Sequence, residues 1–384
     1  NREFRAYLES LVKGRRVSHK VQNVDLLARV APDKTARQVI EEVSGDNAHI
    51  PEMVSRLGMS RFLDSKLSSL SGGELQKVAV AAAMLRDADL YFFDEPSTYL
   101  DIYERMRVAE EISRLAEEKE VMVVEHDLAM LDYLADYAYV LYGEPGAYGV
   151  VSGIKAARAG INEFIEGYLK EENVRFRCEP LKFELYSVQE SRLPVLFEYG
   201  SMSKSFGSFT LTVEGGEVRK GEVVGIVGPN AIGKSTFAKL VAGIEKPDAG
   251  QPVQGLSLSY KPQYISFDFD GTVGEYLSVE KVSSPYLKEF DLEPLMPKRV
   301  AELSGGEMQR LAVAVALSRD ADLYILDEPS AFLDIEQRRR LATAIQRDIY
   351  DKEKAAFVID HDVVFIDSIS SRLMLFDGEP SLKG

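Results

Sequence analysis

The 384-residue chain reads as an α/β protein built twice, each time around a parallel sheet, and three observations predict this. Two apolar runs, Leu90-Tyr91-Phe92-Phe93 and Leu323-Tyr324-Ile325-Leu326, are too continuous to alternate and too short for free helices, so they read as strands buried on both faces. Helical periodicity separates them from further strand-like runs, giving the strand-helix-strand order of parallel sheets. Two motifs then repeat in register. Leu70-Ser71-Gly72-Gly73-Glu74 returns as Leu303-Ser304-Gly305-Gly306-Glu307, and Asp94-Glu95-Pro96 as Asp327-Glu328-Pro329, each 233 residues later, while His126 and His361 lie 235 apart.

In chain order, strands are expected at residues 90–93, 121–124, 223–227, 323–326 and 356–359, and helices at 74–85, 102–116, 236–241 and 335–349. Ligands of such sheets gather beyond the carboxyl ends of the strands. Asp94, Glu95, His126, Gly228, Asp327, Glu328 and His361 all fall there. From about residue 143 the period is lost and Gly, Pro and charge accumulate, and the opening Tyr142-Gly143-Glu144-Pro145 recurs as Asp377-Gly378-Glu379-Pro380. The expected division is a first domain at 1–142, a hinge at 143–199 and a second domain at 200–384.

Hydrophobic residues make up 45% and charged residues 28% of the chain, enough for sizeable soluble cores. No apolar run approaches the ~18 residues of a membrane helix. A net charge of −16 argues against a protein that coats nucleic acid through overall charge, so any RNA contact is expected to be local. The basic groups Lys13 with Arg15 and Arg16, Arg175 with Arg177, and Arg338 to Arg340 read first as solvated faces. Cys178 stands alone, which excludes disulfides and cysteine-ligated clusters within one chain. Asn1 opens without a charged and then apolar leader, as expected for a fragment or processed form of a cytoplasmic protein.

The strand at 223–227 runs into Gly228-Pro229-Asn230-Ala231-Ile232-Gly233-Lys234-Ser235 and out through Thr236 into a helix, the context that makes a Gly-rich run a phosphate cradle. Lys234 would reach the β and γ phosphates and Ser235 would ligate Mg²⁺. Ala231 stands where such loops often carry glycine, which restricts the backbone. Asp327 is expected to hold Mg²⁺ through water, and Glu328 to face the attacking water as base. Gln263, 29 residues after Lys234, is placed to touch the metal or the water, and His361 to bond the γ phosphate. This loop occurs once. A copy shifted back by the repeat would lie at or before residue 1, so the first domain is expected to lack it, and the second to lack its tail.

Together the phosphate loop, Gln263, Leu-Ser-Gly-Gly-Glu, Asp327-Glu328, Ser330-Ala331-Phe332-Leu333-Asp334 and His361 resemble the ATP-binding cassette ATPases, over nearly the whole chain. The resemblance implies tandem cassettes of the P-loop NTPase fold, packed head to tail, with each ATP between the phosphate loop of one and the signature of the other. One composite site would then join Lys234, Ser235, Gln263, Asp327, Glu328 and His361 to Ser71, Gly72 and Gly73. The other would keep Ser304, Gly305 and Gly306 with Gln22, Asp94, Glu95 and His126, bind nucleotide weakly at most, and leave this chain a poor ATPase. Phe206 and Phe209, 28 and 25 residues before Lys234, are the candidates to stack on adenine, with Phe209 preferred.

Within that family the chain is similar to the ribosome-recycling ATPases of archaea and eukaryotes, also called the RNase L inhibitor family. The passages that carry this are His19-Lys20-Val21-Gln22-Asn23-Val24-Asp25, Val123-Val124-Glu125-His126-Asp127, Tyr142-Gly143-Glu144-Pro145-Gly146-Ala147-Tyr148-Gly149 and the hinge stretches 160–164 and 172–177. Residues 1–16 look like the end of that family's helix-loop-helix insertion. The resemblance implies an ATP-driven clamp that splits ribosomes after termination, contacting rRNA and ribosomal proteins of the subunits and a release-factor-like partner. It also implies an amino-terminal domain with two iron–sulfur clusters in full-length relatives, which these residues do not include. Val21 replaces the proline usual before the first-copy glutamine. The rival readings are a subunit driving a membrane permease, which leaves the hinge passage unexplained, and an ATP-gated DNA scaffold, which would need heptad arms between Lys234 and Ser304.

Overall fold

The computed structural model describes residues 14–44, 47–144, 147–178, 180–181, 193–207, 209–251, 253, 255–263, 265–379 and 384. Most of the stretch expected to form the helix-loop-helix end, with Lys13, Pro145, Gly146 and Pro380, lies outside them. The chain divides into two compact units, Asn1–Pro180 and Leu181–Gly384.

In the first unit β1 (Val17–Lys20), β2 (Leu90–Asp94) and β3 (Glu120–Val124) form a parallel sheet in that order, with Val17 beside Leu90 and Leu90 beside Glu120. Helices α1 (Gly72–Met84) and α2 (Ile102–Ala116) connect the strands. Ile40, Leu57, Met59, Leu67, Val78, Phe93 and Leu100 are all but inaccessible and form its core. Each such side chain contributes on the order of 1.5–3 kcal/mol by leaving water.

The second unit carries the fuller sheet. Strands β4 (Glu222–Val227), β5 (Leu258–Lys261), β6 (Leu323–Asp327), β7 (Ala355–Ile359) and β8 (Arg372–Leu375) pair in the order β5-β6-β7-β4-β8, all parallel. Helices α3 (Lys234–Val241), α4 (Gly305–Ser318), α5 (Ile335–Asp351) and α6 (Val363–Ile369) return the chain between strands. Strands β6 and β7 are buried at every position, as the unbroken apolar runs require. Their counterparts differ from that expectation. Strand β2 alternates half-buried and buried residues although it is paired on both edges, and β3, which has no strand on its outer edge among the described residues, alternates exposed and half-buried ones.

The repeated motifs also build their own helix starts. Ser71 and Ser304 cap α1 and α4 in capping boxes closed by Glu74 and Glu307, so both helices begin two residues before the apolar period does. Asp101 and Asp334 cap α2 and α5. Asp127 and Asp362 cap the helices after the two histidines, and are held by Arg105 at 3.0 Å and Arg338 at 2.7 Å.

Of the stretch 143–199, residues 147–178 lie in the first unit and 193–199 in the second. The first part has structure of its own. Helix Ala157–Glu166 ends on left-handed Gly167, the buried Lys155 ammonium meets Glu163 and Glu172, and the Arg177 guanidinium lies over the rings of Phe164 and Phe176. Strand Val195–Tyr199 pairs antiparallel with Gly216–Arg219. Among the described residues no helix is long and apolar enough to cross a membrane.

Candidate nucleotide site

Strand β4 delivers Gly228 at the end of a buried run, and the loop to Gly233 turns back over it. Ile232 is inaccessible and anchors the loop in the core, whereas Ala231 faces solvent. Gly233 sits at φ 104° with the place of a Cβ 3.0 Å from the Phe209 ring, so only glycine fits there. Ala231 takes φ 56°, a left-handed conformation that costs a non-glycine residue about 1 kcal/mol. Helix α3 has Gly233 at its N-cap, with no side chain to cap it, in contrast to the serines that cap α1 and α4. Its first turn, Lys234, Ser235 and Thr236, therefore presents backbone donors and the positive helix end to an anion. The Lys234 ammonium is buried and donates to the carbonyls of Gly228 and Pro229, both at 2.7 Å, lying across the loop that is expected to cradle the phosphates.

At the end of β6, Asp327 is buried and neither carboxylate oxygen has a hydrogen-bond partner among the described residues. Burial, and then the neighbouring Glu328, push its carboxyl up to about 6, with nearby Ser235, Lys261 and Lys234 pulling the other way. Glu328 is different. Burial raises its carboxyl too, but the hydrogen bond and charge of His361 and the charges of Lys261 and Lys234 outweigh it and hold the group below its ordinary value. Its Oε1 accepts from Gln263 at 2.7 Å and lies 3.3 Å from His361 Nε2. The ring nitrogen of His361, the residue expected to bond the γ phosphate, thus lies beside this carboxylate.

Lys261 and Gln309 were not legible as functional. The buried Lys261 ammonium donates to the carbonyls of Asp327 at 2.7 Å and Glu328 at 2.9 Å, and Gln309 donates to the Glu328 carbonyl at 2.6 Å. These donors hold Glu328 at φ 49°, another left-handed residue, which aims its side chain away from that of Asp327. Desolvation lowers the Lys261 ammonium to about 8 against the charges of Asp327, Glu328 and Asp360. A lysine inside an apolar strand usually reads as an exposed position. The signal was repetition, since His19-Lys20-Val21-Gln22 and Tyr260-Lys261-Pro262-Gln263 share the lysine two residues before the glutamine.

The first unit reproduces this arrangement. Lys20 donates to the carbonyls of Asp94 at 2.7 Å and Glu95 at 3.0 Å, and Gln76 to that of Glu95 at 2.7 Å, with Glu95 at φ 47°. Gln22 donates to Glu95 Oε1, which lies 3.5 Å from His126 Nε2. Valine at 21 leaves Gln22 at the same station as Gln263.

The signature glycines have a reason within their own unit. A Cβ on Gly73 would stand 2.9 Å from the carbonyl oxygen of Tyr99, and one on Gly306 the same distance from that of Phe332. Tyr99 and Phe332 are left-handed too, at φ 67° and 60°, and their rings pack on Gly72 and Gly305. Close approach of nucleotide is thus not needed to explain the glycines. Phe206 is exposed beneath the Lys204 ammonium, whereas Phe209, its partner across a hairpin, is half-buried against Gly233.

Residues 8–98 and 215–331, more than half of the chain, match the model of a family described as ABC transporter. The chain belongs to the ATP-binding cassette family. Its two units are a first and a second cassette. An uncharacterized ABC transporter ATP-binding protein of Methanocaldococcus jannaschii is 50% identical over 392 residues, a match to 100% of this chain and 64% of that protein. The chain thus spans less than two thirds of that relative. A crystal structure of archaeal ribosome recycling factor aABCE1 in complex with the archaeal ribosomal stalk protein aP1 is 48% identical, with a TM-score of 0.87, over 99% of this chain and 75% of that one. A model of ribosome-bound archaeal Pelota and ABCE1 gives 49% identity and a TM-score of 0.92 over 99% and 66%. The twin-cassette branch expected from the hinge passage is the one these structures represent.

Proposed function

We propose that the chain is the twin-cassette part of an ATPase that binds and hydrolyses ATP at head-to-tail composite sites and uses their closure to split ribosomes for recycling. The observation that carries the chemistry is the division of labour at the end of β6. Two buried, unpartnered oxygens of Asp327 lie close to Ser235 at an uncapped helix start, while Glu328 is kept ionised by His361 and the lysines.

Those residues fit Mg²⁺, which binds through one or two carboxylates and completes its shell with phosphate oxygens and water. Ser235, Asp327 and Gln263, whose amide nitrogen is occupied by Glu328, would hold the ion, and when bound it would neutralise charge on the β and γ phosphates. The chain's own residues do the rest. Backbone donors of the loop and of the first turn of α3 bind the triphosphate, and Lys234 leaves the loop carbonyls to meet it. Phe209, or else Phe206, stacks on adenine. Glu328 takes the proton of the attacking water, held in place by Gln263 and His361. Ser71, Gly72 and Gly73 supply the helix start that closes this site, and Ser304, Gly305 and Gly306 serve the other, with Glu95 as its base and His126 as the partner of that base.

The biological reading rests on the two neighbours, one with a ribosomal stalk protein and one ribosome-bound with Pelota. We assign this chain the same class of partners: ribosomal subunits through rRNA and ribosomal proteins, and a release-factor-like protein, in the cytoplasm, with no part for membrane or DNA. Co-sedimentation of the full-length protein with archaeal small ribosomal subunits tests it. Binding should require a non-hydrolysable ATP analogue, and association with membranes carrying a permease instead would replace this reading. Glu328→Gln should keep ATP binding and slow hydrolysis by about 100-fold; unchanged turnover would remove Glu328 from the base role.

A further inference from the structure

The two glutamates differ at one oxygen. Both stand at the same left-handed backbone angle, both have carbonyls held by a buried lysine and a signature-helix glutamine, and both offer Oε1 to a glutamine and a histidine. Oε2 of Glu95 also accepts the Thr98 hydroxyl at 3.1 Å. The matching position is Ala331, and among the described residues nothing donates to Oε2 of Glu328, which is not among the fully buried oxygens. The loops around them are otherwise alike: the backbone N–H groups of Ser97 and Ser330 donate to the carboxylate of the residue before the histidine, Glu125 and Asp360, and Tyr99 and Phe332 share a left-handed turn.

We propose that Thr98 is a positioning residue that occupies the oxygen through which Glu95 would take a proton, and that Ala331 leaves this oxygen of Glu328 open to water. The inference rests on the reading of Glu95 and Glu328 as bases. A carboxylate works as a base through a lone pair that faces the water, and a hydroxyl donating to that oxygen both fills the position and draws charge from it. One hydroxyl thereby makes the first cassette's base the slower of the two. If the hydroxyl were instead a strut that holds Glu95 in a working pose, its removal would slow the reaction, which is the opposite sign.

The test uses steady-state hydrolysis by the full-length protein in a Glu328→Gln background, where chemistry is confined to the Glu95 site. Thr98→Val removes the hydroxyl and keeps the shape; it should raise kcat about fivefold, the effect of one hydrogen bond, with KM unchanged. Thr98→Ser should restore the slow rate. Conversely, Ala331→Thr in a Glu95→Gln background should slow the second site by a similar factor. Thermal melts check that each variant is folded. A kcat for Thr98→Val equal to or below the parent, in a background where adding Glu95→Gln abolishes turnover, overturns this inference and leaves the base assignment standing. Turnover that survives Glu95→Gln in that background removes the base assignment itself.

Discussion

Strand β7 is buried along its whole length, whereas β3, apolar from Val121 to Val124, leaves Met122 and Val124 48% and 40% exposed. The two strands hold the same place in their repeats. Strand β7 lies between β6 and β4, but β3 has only β2 beside it among the described residues. Burial is therefore a property of the neighbourhood. Yet the constellation around the two glutamates is nearly identical in both cassettes, down to the lysine and glutamine that hold the backbone carbonyl. The base, its partners and its left-handed backbone are set by three adjacent strands and the signature helix, and need no complete sheet. What the second cassette adds is β4 with its phosphate loop.

The comparison breaks most directly at that loop. Lys234→Ala should weaken MgATP binding by roughly 100-fold, on the order of 3 kcal/mol, since a charge-assisted contact to phosphate is lost and the first cassette shows no second loop in its sequence. Isothermal titration calorimetry measures this, and unaltered affinity would mean that nucleotide is held elsewhere.

Next in size is the packing that the two cassettes share. Gly73→Ala and Gly306→Ala each push a methyl against a backbone carbonyl that cannot move aside, and should each cost about 1–3 kcal/mol in urea unfolding. If the more open first sheet yields where the second does not, Gly73→Ala will be the milder, and the local constellation is less independent of the sheet than its geometry indicates.

A smaller effect concerns pH. The Asp327 carboxyl is raised from its ordinary 3.8 to about 6, so in that window the folded chain holds more protons than the unfolded one. Its stability contribution is therefore lost as pH rises through 6, and a cation binding the ionised carboxylate offsets the loss. Mg²⁺ should raise the melting temperature of the second cassette at about pH 7.5 and not at about pH 5, and Asp327→Asn should remove the difference. The smallest effect is expected at Ala231. Glycine accepts φ 56° without strain, so Ala231→Gly should be neutral or stabilise by up to about 1 kcal/mol, and a clear loss would show that the alanine methyl makes a contact of its own.

Much of this was legible beforehand. The buried runs at Leu90 and Leu323, the single phosphate loop and the paired carboxylates could be found because an apolar run and a fixed offset survive in one dimension. The helix expected from residue 74 starts at Gly72, since a capping serine belongs to the helix through a hydrogen bond and not through hydrophobicity, and the one expected from 236 starts at Lys234. Lys20, Lys261, Gln76 and Gln309 do not read as functional in one dimension for a related reason. A buried lysine acquires meaning only from the carbonyls brought to it by another strand.

By itself, then, the order of residues determined that there are two copies, which copy has the loop, and which side chains stand at the strand ends. Only the folded chain decided which carboxylate oxygens are occupied and which stay open, why Gly73 and Gly306 admit no methyl, and which strand faces are covered. Those properties depend on atoms that are distant in sequence and on the exclusion of water between them, so no local pattern carries them.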